Sequence, residues 1–227
     1  MRMATLYVLL AATAAAAGTA TDWPAYGGSL ENTRYAPLNQ ITTANVTHLV
    51  QAWAFDTKPA GETTARPAQT TPLVIDGVMY FVTAHRTLVA LDPETGKQIW
   101  VFTHKHNARP PRGIAYWPGD KDDAARILFG TGDGFLLAVD AKTGKAIPGF
   151  GTEGEIDLKK GMKDPARFPN NHYGLSGAPM IYKNLAIVGS HTQDSPGLGS
   201  KGDARGFDVR TGKLIWTFHS VPQPRSC

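Results

Sequence analysis

The residue types able to do chemistry in this 227-residue chain sit mainly in short stretches between apolar runs. "THKHNARPPRG" (Thr103 to Gly113) sets His104 and His106 ahead of Arg112, whose planar guanidinium can bond two oxygens at once. "GTGDG" (Gly130 to Gly134) has the glycine density of a nucleotide loop. No helix pattern follows it, so it reads as a turn inside a strand-turn-strand repeat. "GSHTQDSPG" (Gly189 to Gly197) carries one carboxylate, Asp194. The only cysteine is Cys227, the last residue, which excludes an internal disulfide and a thiolate metal site. A formal net charge of +4, spread without a Lys/Arg stripe, argues against a nucleic-acid partner.

The elements that hold these stretches come from a phrase written three times. "ALDPETGKQIWVF" (Ala90 to Phe102) returns as "AVDAKTGKAIPGF" (Ala138 to Phe150) and "GFDVRTGKLIWTF" (Gly206 to Phe218). Each reads as an apolar strand ending in Asp, a turn, and a second strand ending in an aromatic. The Asp accepts N–H bonds from residues ahead of it, and Gly96, Gly144 and Gly212 supply the left-handed residue of a longer hairpin loop. A further hairpin precedes at least two of the phrases, turning at Asp76-Gly77 and Lys183-Asn184, and the middle repeat shows a strand at Ile127 to Thr131 and a turn at Asp133-Gly134. Two hairpins make a four-stranded antiparallel sheet. The Asp residues at 92, 140 and 208 lie 48 and 68 residues apart. The first spacing fits the period of roughly 40–50 residues of a propeller blade, and the second implies an insertion within Gly151 to His172. Repeats near 71–102, 112–150 and 177–218 are thus expected to stack radially, each terminal aromatic slotting against the next blade. Pro148 stands where the other copies have Trp, so that copy is expected to make the weaker inter-blade contact.

The stretches "DWPAYGGSLENTRYAPLNQITTANVTHLVQAWAF" (Asp22 to Phe55), "TTPLVIDGVMYF" and "RGIAYWPGD" (Arg112 to Asp120) resemble, with the repeat, the N-terminal part of quinoprotein dehydrogenases. The resemblance implies an all-β, eight-bladed propeller using pyrroloquinoline quinone and calcium. It also implies oxidation of an alcohol, sugar, polyol or cyclic hydroxy acid, with a quinone or cytochrome as electron acceptor. Arg112 matches the family's arginine at the quinone. Gln69 falls where relatives place a Glu or Gln on the cofactor, and Ser176, in "GLSGAP", matches a hydroxyl that bonds a cofactor carboxylate. Asp194 aligns with an acidic calcium ligand, a hard-oxygen donor as that ion prefers. His104 and His106 lie further from Arg112 than the histidine that covers the quinone in some relatives, and are read as loop residues outside the site.

About three blades and an initial strand, Leu49 to Phe55, fit in this length. The resemblance therefore implies a truncated dehydrogenase, inactive as it stands, whose general base and remaining metal ligands belong beyond Cys227. Two blade faces would then be exposed, and poor solubility is expected. Residues 1–20 read as a secretory signal peptide, with Arg2 near the start, an apolar run of 14 residues from Ala4 to Ala17, and Gly18 and Ala20 before the cut. The remainder, 21–227, is expected in the periplasm, free or associated with the membrane. A second reading is a non-catalytic exported propeller scaffold for outer-membrane protein assembly. It shares the hairpin, but the "WPAYGG" and "RGIAYW" stretches weigh against it.

Overall fold

The computed structural model describes residues 22–29, 31–64, 66–106, 111–160, 173–192 and 200–221. The expected signal peptide, Asp194, Cys227 and part of the expected insertion lie outside the described residues. No helix among the described residues is long and apolar enough to cross a membrane.

Twelve strands among the described residues pair antiparallel in sequence order to form three four-stranded blades. Blade 1 is β1 (Leu73–Ile75), β2 (Val78–Val82), β3 (Thr87–Leu91) and β4 (Gln98–Thr103). Blade 2 is β5 (Ala115–Trp117), β6 (Arg126–Gly130), β7 (Phe135–Asp140) and β8 (Glu155–Asp157). Blade 3 is β9 (Met180–Tyr182), β10 (Leu185–Val188), β11 (Ala204–Asp208) and β12 (Leu214–Phe218). Every residue of β6 is buried, because blade 2 is covered on both sides. The two-residue period of a strand divides it cleanly. Ile127, Phe129, Leu137 and Val139 face Leu73, Leu88 and Ala90 of blade 1. Leu128, Leu136 and Ala138 face Ala186, Val188 and Phe207 of blade 3. Each fully buried Leu, Ile or Phe contributes about 1.5–3 kcal/mol, so the seams between blades are the core.

The repeated turn has one construction. Asp92, Asp140 and Asp208 each accept at Oδ1 the N–H groups two and three residues ahead. The following glycine returns its N–H to the Asp carbonyl at 2.9, 2.9 and 2.8 Å, with φ of +69°, +69° and +74°. A neighbouring side chain then lies on that glycine. Trp53 covers Gly96 and donates Nε1–H to the Pro93 carbonyl at 3.0 Å. Trp100 of blade 1 covers Gly144 of blade 2 and donates to the Ala141 carbonyl at 3.2 Å. A Cβ on Gly144 would stand 2.6 Å from the indole.

Two details differ from the sequence expectation. Leu49 to Phe55 forms no strand; Trp53 and Phe55 pack instead on Phe81, Val89 and Leu91 of blade 1. In blade 2, Pro148 cannot donate to a ladder, so the chain leaves the sheet at Ile147 and coils through Phe150 and Gly154. It re-enters as β8 at Glu155, beyond the expected limit of 150. Ile156 of that strand takes the missing indole's place on Gly212.

Charge and main-chain bonds reinforce this second seam. Arg126, 1% exposed, pairs with Asp123 at 2.7 Å and donates to the carbonyls of Val209 at 3.2 Å and Arg210 at 2.9 Å. Its guanidinium lies 5.0 Å from the Trp117 ring centroid, and that of Arg210 lies 5.5 Å from the same ring. Arg210 binds Asp120 and holds that carboxyl down to about 2. Gly151 adds a main-chain bond to Thr211 at 2.8 Å.

Gly144→Ala should cost about 2–4 kcal/mol, combining a left-handed Cβ with overpacking against Trp100. Gly77→Ala, at φ +72° but with open space around it, should cost only about 1 kcal/mol. Urea unfolding of both variants checks the difference; equal losses would show that the indole is not seated on the turn.

Candidate functional site

β1, β5 and β9 are the first strands of their blades, and the residues ahead of each lie at one end of the sheets. Main-chain bonds join these starting points. The Thr71 N–H donates to the Arg112 carbonyl at 3.3 Å, and the Arg112 N–H donates to the Ser176 carbonyl at 2.8 Å. Arg112 is thus fixed by blades 1 and 3 while its own strand belongs to blade 2. Approach is close here: a Cβ on Gly113 would stand 3.2 Å from the Ala178 Cβ.

The structure brings Arg112 and Ser176 together through this ladder and sets Gln69 two residues from it. Arg112 and Gln69 are exposed and Ser176 is half-buried. Among the described residues the Arg112 guanidinium has no hydrogen-bonding or ion-pair partner, and the Ser176 hydroxyl makes no bond. Asp194 lies outside the described residues, so nothing joins it to the other three. Among the described residues no group of His, Cys, Asp or Glu side chains is arranged to hold a metal ion.

Two hydroxyls that sequence reasoning missed stand near these positions. Thr70 Oγ1, beside Gln69, and Ser190 Oγ, two residues past β10, are buried without a hydrogen-bond partner. β10 runs antiparallel to β9, so Ser190 emerges at the end where Ser176 enters. A buried hydroxyl without a partner costs about 1–3 kcal/mol, a debt a ligand oxygen can offset. An unpaired guanidinium on a fixed main chain, with hydroxyl-bearing residues on the neighbouring strand ends, suits an anionic, oxygen-rich ligand. Nothing in the sequence separates these two from the other serines and threonines that flank strands.

His104 and His106 lie on the loop after β4, as read from the sequence, and both are buried there. They are 8% and 5% exposed, because the chain leaving β4 turns into the blade 1–blade 2 seam. The His104 ring lies 5.6 Å from that of Phe129, and its Nδ1 has no partner. Burial, and secondarily the charge of His106, push the His104 imidazole down to about 4. His106 Nδ1 is 3.1 Å from Asp133 Oδ2 and its Nε2 is 3.0 Å from Glu155 Oε2.

The comparisons agree with this architecture. Residues 23–226 match the family model "PQQ: Glucose/ethanol/alcohol dehydrogenase, beta-propeller domain". Over 90% of its length the chain is 36% identical to the alcohol dehydrogenase (quinone) dehydrogenase subunit of Gluconobacter oxydans (strain 621H), covering 25% of that protein. It is 34% identical to quinoprotein glucose dehydrogenase A of Acinetobacter calcoaceticus, over 87% of this chain and 28% of that protein. Among solved structures, the quinohemoprotein alcohol dehydrogenase of Comamonas testosteroni superposes with a TM-score of 0.70 at 29% identity. That match covers 94% of this chain and 29% of that one. The chain spans about a quarter of the length of the curated relatives it matches.

Because His104 is held uncharged, the unfolded chain takes up a proton there that the folded chain refuses. Its contribution is complete above about pH 6.5 and is lost as the pH falls toward 4. His104→Phe, which also removes the unpartnered nitrogen, should flatten this loss, seen as a smaller drop in urea midpoint between pH 7 and 4.5. An unchanged drop would show that His104 charges freely in the fold.

Proposed function

Because the chain belongs to the PQQ-dependent glucose/ethanol/alcohol dehydrogenase β-propeller family, we propose that it supplies part of the cofactor cradle of an exported quinoprotein oxidoreductase. The reaction is oxidation of a hydroxyl compound, an alcohol, sugar, polyol or cyclic hydroxy acid. A quinone or cytochrome is the electron acceptor, and the working compartment is the periplasm. The observation that carries the reading is the Thr71–Arg112–Ser176 ladder, which fixes the Arg112 main chain where three blades meet and leaves its guanidinium unpaired among the described residues.

The residues present fit the group. Pyrroloquinoline quinone has three carboxylates and an ortho-quinone, and takes up two electrons when bound, with calcium polarising a carbonyl. Arg112 would hold two of the cofactor's oxygens with its planar fork. Ser176 would bond a carboxylate, with the buried hydroxyls of Thr70 and Ser190 beside it. Gln69 would contribute an amide at the rim. Asp194 would give calcium one carboxylate oxygen. Burial of the strands behind Arg112 keeps its main chain from moving when an anion arrives, so reorganisation is confined to the side chain.

Titration of this chain with pyrroloquinoline quinone and calcium, followed by tryptophan quenching, should show saturable binding. Arg112→Ala should weaken it at least tenfold, the scale of one lost charge-assisted bidentate contact. Binding that is unchanged in Arg112→Ala, or absent from the unsubstituted chain, overturns the reading.

A further inference from the structure

The segment ahead of the blades reaches the place where Arg112 stands. β1 pairs with β2 on one edge, and Trp23 takes the other. The Trp23 N–H donates to the Val74 carbonyl at 2.7 Å, and the Val74 N–H donates back to the Trp23 carbonyl at 3.1 Å. The pairing is antiparallel, and Asp22 Oδ1 accepts the Asp76 N–H at 3.1 Å beyond the end of β1. The chain leaving Trp23 therefore runs back toward the start of β1, where Thr71 meets Arg112. Tyr26 arrives there: a Cβ on Gly113 would stand 3.9 Å from Tyr26 Cδ2. The phenol ring thus borders the residue that follows Arg112.

Arg34 is brought to the same ring. Its N–H donates to the Gly27 carbonyl at 2.8 Å, and the Gly28 N–H donates to the Ala25 carbonyl at 3.0 Å, so the chain folds back on itself. Trp23 supports this fold, since a Cβ on Gly28 would stand 3.0 Å from its indole. The Arg34 guanidinium lies 5.5 Å from the Tyr26 ring centroid. Among the described residues it has no ion-pair partner. Arg34 has φ +54°, a left-handed backbone that asparagine and glycine adopt at lower cost. The stack on Tyr26 offsets part of that cost, and no described carboxylate offsets the rest.

The chemistry of the group that Arg112 is read to hold gives this cation a task. Pyrroloquinoline quinone carries three carboxylates, and a planar guanidinium fork holds two oxygens. Arg112 therefore leaves carboxylate charge for a second cation. A guanidinium stacked on a ring is engaged through its face, and the N–H groups at its edge stay free to bond an anion. We propose that Arg34, held on Tyr26, is a second cofactor-binding residue, offering its fork from the N-terminal segment to a carboxylate of the group that Arg112 contacts. The inference rests on the reading of Arg112 as a cofactor contact.

Arginine footprinting of this chain with phenylglyoxal, resolved residue by residue by mass spectrometry, tests this without turnover. Rates are taken relative to Arg210, which follows β11 at the opposite end of the blades. With calcium present, pyrroloquinoline quinone should slow modification of Arg34 at least fivefold, over the same concentrations that protect Arg112. Protection of Arg112 alone overturns the role of Arg34 and spares the cofactor site. Protection of Arg34 alone keeps Arg34 and removes Arg112 from the site. Protection of neither overturns both readings.

Substitution separates binding from folding. Arg34→Asn removes the charge at a backbone angle that asparagine takes readily, so the urea midpoint should not fall. Quinone affinity should drop about five- to tenfold, the scale of one charge-assisted contact. The remaining affinity should also fall less steeply with added salt than that of the unsubstituted chain, a change that a purely structural role would not produce. An unchanged affinity, or a loss with unchanged salt dependence, overturns the proposal.

Discussion

A four-stranded sheet that is apolar on both faces has to be covered on both, and here the covering depends on one small contact. The Asp-x-x-Thr-Gly turn must close tightly enough for a side chain from the preceding element to lie on its glycine. The carboxylate caps the turn from within, and the glycine's left-handed backbone leaves room for the indole. The indole N–H then bonds a carbonyl of the turn it covers, so packing and hydrogen bonding fix the same distance. Once this sets the spacing of two blades, the alternating residues of β6 and β7 have no choice of partner. One set faces blade 1 and the other faces blade 3.

The hub inherits its precision from these seams. Arg112 lies on a loop, yet its main chain bonds to residues of the two flanking blades, so its position depends on both inter-blade distances. A guanidinium on a free loop would have to be ordered by the ligand itself. One whose main chain is tied into a three-blade ladder has its backbone ordered when the blades pack, and only the side-chain rotamers are left for a ligand to order. Arg112 thus combines a rigid main chain with a side chain that has no partner among the described residues, and two buried hydroxyls without partners, those of Thr70 and Ser190, stand on the neighbouring strand ends.

The repeat was legible because its chemistry is local: Asp, Thr and Gly act within five residues, and the aromatic follows at a fixed offset. Arg112 and Ser176 were singled out by the motifs around them, while their joining across blades was not legible. Main-chain bonds between residues 64 positions apart leave no side-chain signature. Thr70 and Ser190 were missed because an unsatisfied hydroxyl is a property of its surroundings, not of its residue type. His104 and His106 were read as loop residues, but their burial was not legible, because their partners, Phe129, Asp133, Phe135 and Glu155, come from 25 to 50 residues downstream.

The second seam shows why losing the tryptophan need not loosen the contact. Pro148 removes both the indole and the ladder donor, and the chain must leave the sheet there. Two consequences follow from that detour. The strand re-enters later, which brings Ile156 over Gly212 as an apolar cover smaller than an indole. The same seam also holds Trp117, with the guanidinium groups of Arg126 and Arg210 both within cation–π range of its ring. Those arginines bring their own constraint, since a buried guanidinium must be hydrogen-bonded and paired. Arg126 meets it with Asp123 and the carbonyls of Val209 and Arg210, the last two belonging to the very turn that Ile156 covers. The repeated turn is therefore covered by a hydrogen-bonded indole at the first seam and by Ile156 together with a buried, paired guanidinium at the second.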